Sequence, residues 1–155
     1  MSAATLKALH IFAVTLFVGN IIVSAFWKAL ADRTRDVGII RYATRLVNLT
    51  DVFFTAGGIA LLMATGHAMA PFYGGVMATS WIRWSYFMVI GSGLIWLFVL
   101  LPVQIAQSRL LRPLASQAEI PARYWKLSML WTVAGIPATL LPLPAIYLMA
   151  VKPAG

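Results

Sequence analysis

Four long apolar segments, separated by charged stretches, dominate the chain. They run over 8–27, 52–70, 84–105 and 128–151, and none of them contains Lys, Arg, Asp or Glu. About 20 helical residues are needed to cross a hydrocarbon core of about 30 Å, which is close to the length of each segment. The pattern predicts an all-α fold in which residues 1–155 form one integral membrane domain, a four-helix transmembrane bundle.

Basic residues are unevenly divided between the two ends of the predicted bundle. The loops after the first and third segments carry nine of them, which are Lys28, Arg33, Arg35, Arg41, Arg45, Arg109, Arg112, Arg123 and Lys126. The opposite side carries three, Lys7, Arg83 and Lys152. Because basic loops stay in the cytoplasm, the bundle is predicted to be N-out and C-out.

Composition supports a lipid environment and narrows the possible chemistry. Of 155 residues, 61% are hydrophobic and only 10% are charged, far from the usual mix of a soluble domain. The net charge of +8 comes from residues that bracket apolar segments, so it predicts no nucleic-acid partner. Cysteine is absent, which excludes disulfides and thiolate ligands. Phosphate-binding and dinucleotide-binding glycine motifs are also absent.

Two histidines, one in each of the first two segments, are predicted to lie at nearly equal depth. His10 follows Lys7 by three residues and His67 precedes Pro71 by four, or about 4.5 and 6 Å from the same face at the helical rise. A matched pair of histidines on facing helices is how bundle proteins hold haem iron. The alternative is that each imidazole bonds water or a carbonyl near the interface.

The helical faces of the two histidines favour a site inside the bundle. On the first helix one stripe contains His10, Ala13, Phe17, Asn20 and Ser24, almost all the polarity of that helix. On the second helix His67 shares a face with a row of small residues, Ala56, Ala60 and Ala64, and small residues let helices approach closely. We therefore expect both faces to pack against protein.

Other residues at the same end extend the candidate site. Lys7 and Arg83 are candidates to pair with propionates of a bound porphyrin, or else to extend to lipid headgroups. Thioether ligands that compete with His67 are Met63, Met69 and Met149. Trp81, Trp84 and Tyr86 favour an aromatic belt over the wall of a pocket.

Several features are interpreted as structural. Asn48 and Asp51 have the spacing of a capping box at the start of the second helix, which favours a cap over a proton relay. Residues 37–47 fit a short interfacial helix and a helical extension equally well. Tyr124 and Trp125 suit anchoring at headgroup level. Prolines at 137, 142 and 144 free carbonyls that neighbouring helices must satisfy.

Both ends of the chain carry a family resemblance. The opening LKALHIFAVTLFVGNIIVSAFWKALADRTRD and the ending PATLLPLPAIYLMAVKP resemble a bacterial family of uncharacterised four-helix integral membrane proteins. They are similar, more distantly, to the membrane-bound protoporphyrinogen oxidase family HemJ, a group of haem b proteins. That resemblance implies a haem role for His10. The lysine that the oxidases carry after the tryptophan opening helix 3 is missing, since Trp81 is followed by Ile82 and Arg83.

The leading hypothesis is therefore a multi-pass protein of the bacterial plasma membrane that binds haem b through His10 and His67 and has a redox or electron-transfer role. The alternatives are a protoporphyrinogen oxidase-like enzyme and a non-catalytic assembly subunit or small transporter. A porphyrin, a quinone and a second copy of the chain are the expected partners besides lipid. Replacing His10 should abolish haem retention, whereas replacing His67 should convert a six-coordinate low-spin spectrum into a high-spin one.

Overall fold

The structure is a computed structural model that describes residues 2–116 and 118–153. It consists of four long helices and contains no strands in that part of the chain. They are α1 (Ala3–Thr34), α2 (Val37–Tyr73), α3 (Ser80–Leu111) and α4 (Ala122–Val151). Each is long and apolar enough to cross a membrane. The all-helical fold with four spans is confirmed, and every helix extends past the apolar segment that predicted it.

The helices pack as two antiparallel pairs. α1 lies along α2, α3 lies along α4, and the first part of α2 contacts the last part of α3. We call the end with the α1–α2 turn and the α3–α4 loop the basic end, and the end with both chain termini the terminal end. α1 also contacts α4, which closes the bundle.

Many large apolar side chains are exposed on the outside of the bundle, as expected where lipid replaces water. Phe26, Phe98 and Met129 are each about two-thirds exposed. The interior is built from three clusters, one at the basic end around Ile40 and Tyr124, one in the middle around Val103 and Trp131, and one towards the terminal end around Phe17 and Leu62.

A tight turn joins α1 to α2 at the basic end. Arg35 adopts a left-handed conformation with φ of 55°, and the Asp36 carboxylate caps α2 by accepting a hydrogen bond from Ile39 N at 2.8 Å. α2 then continues without a break from Val37. Residues 37–47 are thus a helical extension of α2, and the alternative of a separate interfacial helix is wrong.

Two π-helical stretches interrupt the regular α-helical bonding in the middle of the bundle. Asp51–Ala56 lies within α2 and Trp96–Leu100 lies within α3. Such stretches are rare, and they occur frequently at functional sites. Here each stretch begins at a residue that contacts the other stretch. Trp96 Nε1 donates a hydrogen bond to Asp51 Oδ2 at 3.1 Å.

A proline in α4 has its lost hydrogen bond replaced by α3, as expected. Pro142 has no N–H to donate to the carbonyl of Ala138, four residues earlier. The Ser92 hydroxyl donates to that carbonyl at 2.6 Å and is itself buried. α3 therefore satisfies a backbone group that the proline leaves free within the membrane.

Candidate functional site

A cavity of about 420 Å³ lies between the helices near the terminal end. We call it the terminal-end cavity. Its walls are mostly apolar, with few polar groups converging on it, which is typical of sites for small molecules. It is lined by residues of all four helices, among them Lys7, His10, Phe17, Met63, Gly66, Met69, Tyr73, Trp81, Ile82, Tyr86, Met149 and Lys152.

His10 is the histidine of this cavity, and α2 fixes the orientation of its ring. Its Nδ1 lies 3.0 Å from Thr65 Oγ1, and the Thr65 hydroxyl donates in turn to the carbonyl of Leu61 at 2.7 Å. When the Thr65 hydroxyl donates to Leu61, it can only accept from His10, and Nδ1 is then the donor. Nε2 is then left with its lone pair, the arrangement seen when a histidine binds a metal through one nitrogen and is held through the other.

Gly66 makes room for this imidazole. A Cβ atom at residue 66 would lie 3.1 Å from Cε1 of His10 and 3.7 Å from the Tyr86 hydroxyl. The Tyr86 hydroxyl is buried and has no hydrogen-bond partner among residues 2–116 and 118–153. A buried hydroxyl without a partner is costly. The cavity therefore contains one available imidazole nitrogen and one unsatisfied hydroxyl close together.

Two lysines, Lys7 and Lys152, lie at the rim of this cavity. Lys152 follows the end of α4, and its Nζ lies 4.3 Å from the centroid of the Tyr73 ring. Arg83 does not line the cavity, since its guanidinium donates to the carbonyl of Met77 at 2.8 Å on the surface. Of the two residues predicted to pair with propionates, the structure thus places Lys7 at the cavity and Arg83 outside it. Lys152, which the sequence pattern indicates only as a topology signal, lines the cavity with Lys7.

Aromatic and thioether groups complete the terminal-end cavity. Trp81 and Tyr86 are part of its wall, whereas Trp84 is exposed, so the belt interpretation fits only Trp84. The three methionines considered as ligands, Met63, Met69 and Met149, all line the cavity.

The structure does not bring His67 together with His10. His67 is exposed, as are Ala60 and Ala64 of the small-residue row. The face of α2 that packs inside the bundle instead carries Gly58, Leu62 and Thr65. The expectation that the His67 face packs against protein is not met within one chain. Small residues occur on both faces of α2, so their spacing alone did not identify the buried one.

A second cavity of about 420 Å³ lies nearer the basic end, and we call it the basic-end cavity. Its lining includes Lys28, Asp32, Asp51, Gln104 and Trp131. Asp51 is 3% exposed. The capping-box interpretation of Asn48 and Asp51 is wrong, because α2 is continuous here and begins at Val37.

Four donors surround the Asp51 carboxylate. Its Oδ1 accepts from Asn20 Nδ2 at 2.8 Å and from Thr55 Oγ1 at 2.9 Å. Its Oδ2 accepts from Gln104 Nε2 at 2.8 Å and from Trp96 Nε1 at 3.1 Å. Partners on α1 and α3 are remote in sequence, which is why the pattern around Asp51 did not reveal them.

A buried ion pair stands at the other side of the basic-end cavity. Lys28 Nζ donates to Asp32 Oδ2 at 2.8 Å and to the Tyr124 hydroxyl at 2.6 Å. The hydroxyls of Tyr124 and Ser128 donate to Asp32 in turn. Tyr124 is fully buried, so the prediction that it anchors the loop at headgroup level is wrong. It joins α4 to α1.

The two cavities are arranged along one face of α1. The predicted stripe is confirmed, because Ala13, Phe17, Asn20 and Ser24 are buried and His10 is partly buried. Phe17 lines both cavities and stands between His10 on one side and Asn20 on the other. The stripe therefore links two distinct polar sites through an apolar residue.

The spans and these two cavities define a small four-helix integral membrane protein with polar sites in its interior. Within residues 2–116 and 118–153, no three or more His, Asp or Glu side chains are grouped so that they could hold a metal ion. The chain belongs to the family described as predicted integral membrane protein (DUF2269), whose profile matches residues 4–153. No curated protein and no solved structure matches the chain.

Proposed function

We propose that the terminal-end cavity binds a flat, mainly apolar ligand, that this ligand is haem b, and that His10 is its axial ligand. The observation that carries the proposal is the orientation of His10. Thr65 holds Nδ1 at 3.0 Å, which leaves Nε2 available in a largely apolar cavity. Haem b would supply reversible one-electron chemistry there, which gives the protein a redox or electron-transfer role.

The other residues of the cavity fit the same ligand. Lys7 and Lys152 stand where the two carboxylates of a porphyrin would find cationic donors. Met63, Met69 and Met149 offer a thioether as second ligand, which would raise the reduction potential relative to a second histidine. Because His67 is exposed, ligation by both histidines of one chain is not part of the proposal.

An absorption spectrum of the detergent-purified protein, before and after dithionite, tests the proposal. We expect a Soret band in the wild type after haem supplementation and its loss in His10→Ala. His67→Ala is the matched control and should keep the wild-type spectrum, because His67 lies outside the cavity. Absence of a Soret band in the supplemented wild type would remove the haem assignment.

A quinone is the second candidate, and the Tyr86 hydroxyl favours it. That hydroxyl is buried without a partner near His10, and a quinone carbonyl would accept its hydrogen bond. Organic extraction of the purified protein, followed by chromatography, separates the two candidates. Recovery of a quinone from the wild type, its loss in Tyr86→Phe and no Soret band would favour the quinone.

Protoporphyrinogen oxidation would be an enzymatic form of the haem proposal. The oxidases that the chain resembles carry a lysine soon after the tryptophan that opens the third helix. In this chain the residue after Trp81 is Ile82, which is buried and lines the cavity. Complementation of a host that lacks its own oxidase tests this activity. Failure of well-expressed protein to restore growth would limit the proposal to haem binding without that reaction.

We also propose that both chain termini lie outside the bacterial plasma membrane, on the basis of the basic residues at the opposite end. The natural absence of cysteine makes the test direct. In intact cells a membrane-impermeant thiol reagent should label Ser2→Cys and leave Ala115→Cys unlabelled. The reverse pattern would invert the orientation.

A further inference from the structure

The wall of the terminal-end cavity is not closed equally on all sides. The lining residues that α2 and α3 contribute at membrane depth, such as Leu62 and Ile82, are buried or half-buried. On the sides of α1 and α4, in contrast, several lining residues are exposed on the outside of the bundle. They are Ile11, Thr15, Ile146 and Ala150. A side chain that lines a cavity and is also exposed outside marks a place where the cavity opens.

The packing of the helices explains this opening. α1 lies along α2, and it meets α4 mainly in the part Ala122–Leu140. Beyond that part, Pro142–Val151 of α4 lies along the first part of α3 instead. α1 and the last turns of α4 are therefore separated at the level of the cavity, and the four exposed lining residues stand on the two sides of the gap. We call this gap the lateral portal.

The side of the cavity between α2 and α3 is closed by close approach of the two helices. A Cβ atom at Gly66 of α2 would lie 3.7 Å from the Tyr86 hydroxyl of α3, and one at Gly93 of α3 would lie 3.6 Å from Cδ1 of Ile59. Towards the middle of the membrane, the buried Phe17 separates this cavity from the basic-end cavity. Neither side offers a route for a ligand.

Aromatic rings cover the cavity at the terminal end. Tyr73 and Trp81 pack edge to face, with their ring centroids 5.6 Å apart. Lys152 Nζ lies 4.3 Å from the centroid of Tyr73 and 5.9 Å from that of Trp81, close enough for cation–π attraction to hold the end of α4 against both rings. This cluster joins the ends of α2, α3 and α4, and it leaves the gap beside α1 as the opening.

The lateral portal lies at the depth of the lipid acyl chains. Thr15 is eight residues beyond Lys7 on α1, or about 12 Å at the helical rise. Ile146 is six residues before Lys152, or about 9 Å. One half of a bilayer core is about 15 Å thick, so both residues lie within it. The two lysines stand at the rim of the same cavity, which makes the opening cationic near the headgroups and apolar below them.

We propose that the terminal-end cavity takes its ligand from the lipid phase, through the lateral portal between α1 and α4. This inference rests on the proposed function, since it needs a cavity that binds a flat, mainly apolar molecule. It restricts that molecule to the class of amphiphiles that dissolve in the bilayer. The ring system enters sideways between Thr15 and Ile146 towards His10, and an acidic edge, where the ligand has one, stays near Lys7 and Lys152.

Photolabelling of the ligand-free protein in liposomes tests the lateral portal without haem. An aryl diazirine dissolved in the bilayer gives a carbene that inserts into any nearby side chain, and mass spectrometry locates the modified residues. We expect modification of Tyr86 and Val89, which line the cavity, as well as of Phe87, which is exposed on the same helix outside it. Phe87 is thus an internal standard for the amount of probe in the lipid.

A bulky side chain in the lateral portal should block this labelling. Thr15→Trp should lower the labelling of the two cavity residues relative to Phe87 several-fold. Phe12→Trp is the matched control and should leave the ratio unchanged, because Phe12 is exposed on the same helix and does not line the cavity. Ile146→Trp places the same bulk on the opposite side of the portal and replaces Thr15→Trp if that variant does not fold.

Three results would overturn the proposal. The cavity residues could be unlabelled in the wild type, or labelled in the same ratio in both portal variants, or labelled strongly by a charged, water-soluble diazirine, which would place the entry on the aqueous side. The outcome is distinct from that of the haem spectrum. A labelled cavity without a Soret band keeps lateral entry and removes the haem assignment alone, whereas a Soret band with an unlabelled cavity keeps haem and refutes lateral entry.

Discussion

Gly58 of α2 lies directly against the backbone of Phe17 of α1. A Cβ atom at residue 58 would come within 3.0 Å of Phe17 N and 3.1 Å of its Cβ. No flexible side-chain end is there to move aside. This contact sets the distance between α1 and α2 at the residue that separates the two cavities.

The neighbouring glycines of α2 therefore predict opposite effects of the same substitution. Gly58→Ala should destabilise the protein by about 1–3 kcal/mol, because the helices must move apart. Gly57→Ala meets nothing within 4 Å and should be neutral or stabilising by up to about 1 kcal/mol, because alanine favours a helix. Unfolding in detergent, followed by tryptophan fluorescence, measures both. Equal stability of the two variants would show that the close approach is relaxed without cost.

Gly66 should control ligand binding through His10. Gly66→Ala puts a methyl group 3.1 Å from Cε1 of His10, so the ring must move and its bond to Thr65 must lengthen. Each 1.4 kcal/mol of such strain weakens binding about tenfold. Gly19→Ala, where the new methyl group meets no atom within 4 Å, is the control. Haem titration followed at the Soret band, or quinone titration if that is the ligand, compares them. Unchanged affinity in Gly66→Ala would mean that His10 does not hold the ligand.

Ser92 and Pro142 should be energetically coupled. Ser92→Ala leaves the carbonyl of Ala138 unsatisfied and should cost about 1–3 kcal/mol. In a Pro142→Ala background the new backbone N–H can bond that carbonyl, so the same substitution should cost much less. A double-mutant cycle on unfolding free energies measures the difference. Additive costs would show that Ser92 does not compensate for the proline.

The buried pair at the basic end should be sensitive to the loss of one partner. Asp32→Ala leaves Lys28 buried without its carboxylate and should cost about 3–5 kcal/mol. Arg33→Ala, at the exposed next residue, should leave unfolding unchanged. Thermal unfolding of the two variants checks this. A small effect of Asp32→Ala that is abolished by high salt would instead describe an exposed, screened pair.

The transmembrane arrangement could be predicted because it depends on length and on the absence of charge. The buried stripe of α1 could also be predicted, since its polar residues share one helical face. The buried face of α2 could not, because glycine and alanine occur on both of its sides. The donors that surround Asp51 could not be predicted either, because Asn20, Trp96 and Gln104 come from other helices. Local spacing around residue 51 resembled a cap and contained no information about those partners.

The π-helical stretch that begins at Asp51 contains about one residue more than a regular helix of the same length, because its hydrogen bonds run to the fifth residue and not to the fourth. Deleting one residue between Asp51 and Gly57 would therefore let the stretch close into a regular helix, with Gly58 still against Phe17 and Thr65 still beside His10. Each residue of a regular helix turns the chain by about 100°. The same deletion between Gly58 and Thr65 would instead turn the end of α2 and place Gly66 where Thr65 stands. A residue can thus be lost from the π-helical stretch without changing which side chains of α2 meet His10, whereas its loss from the regular part of α2 changes them.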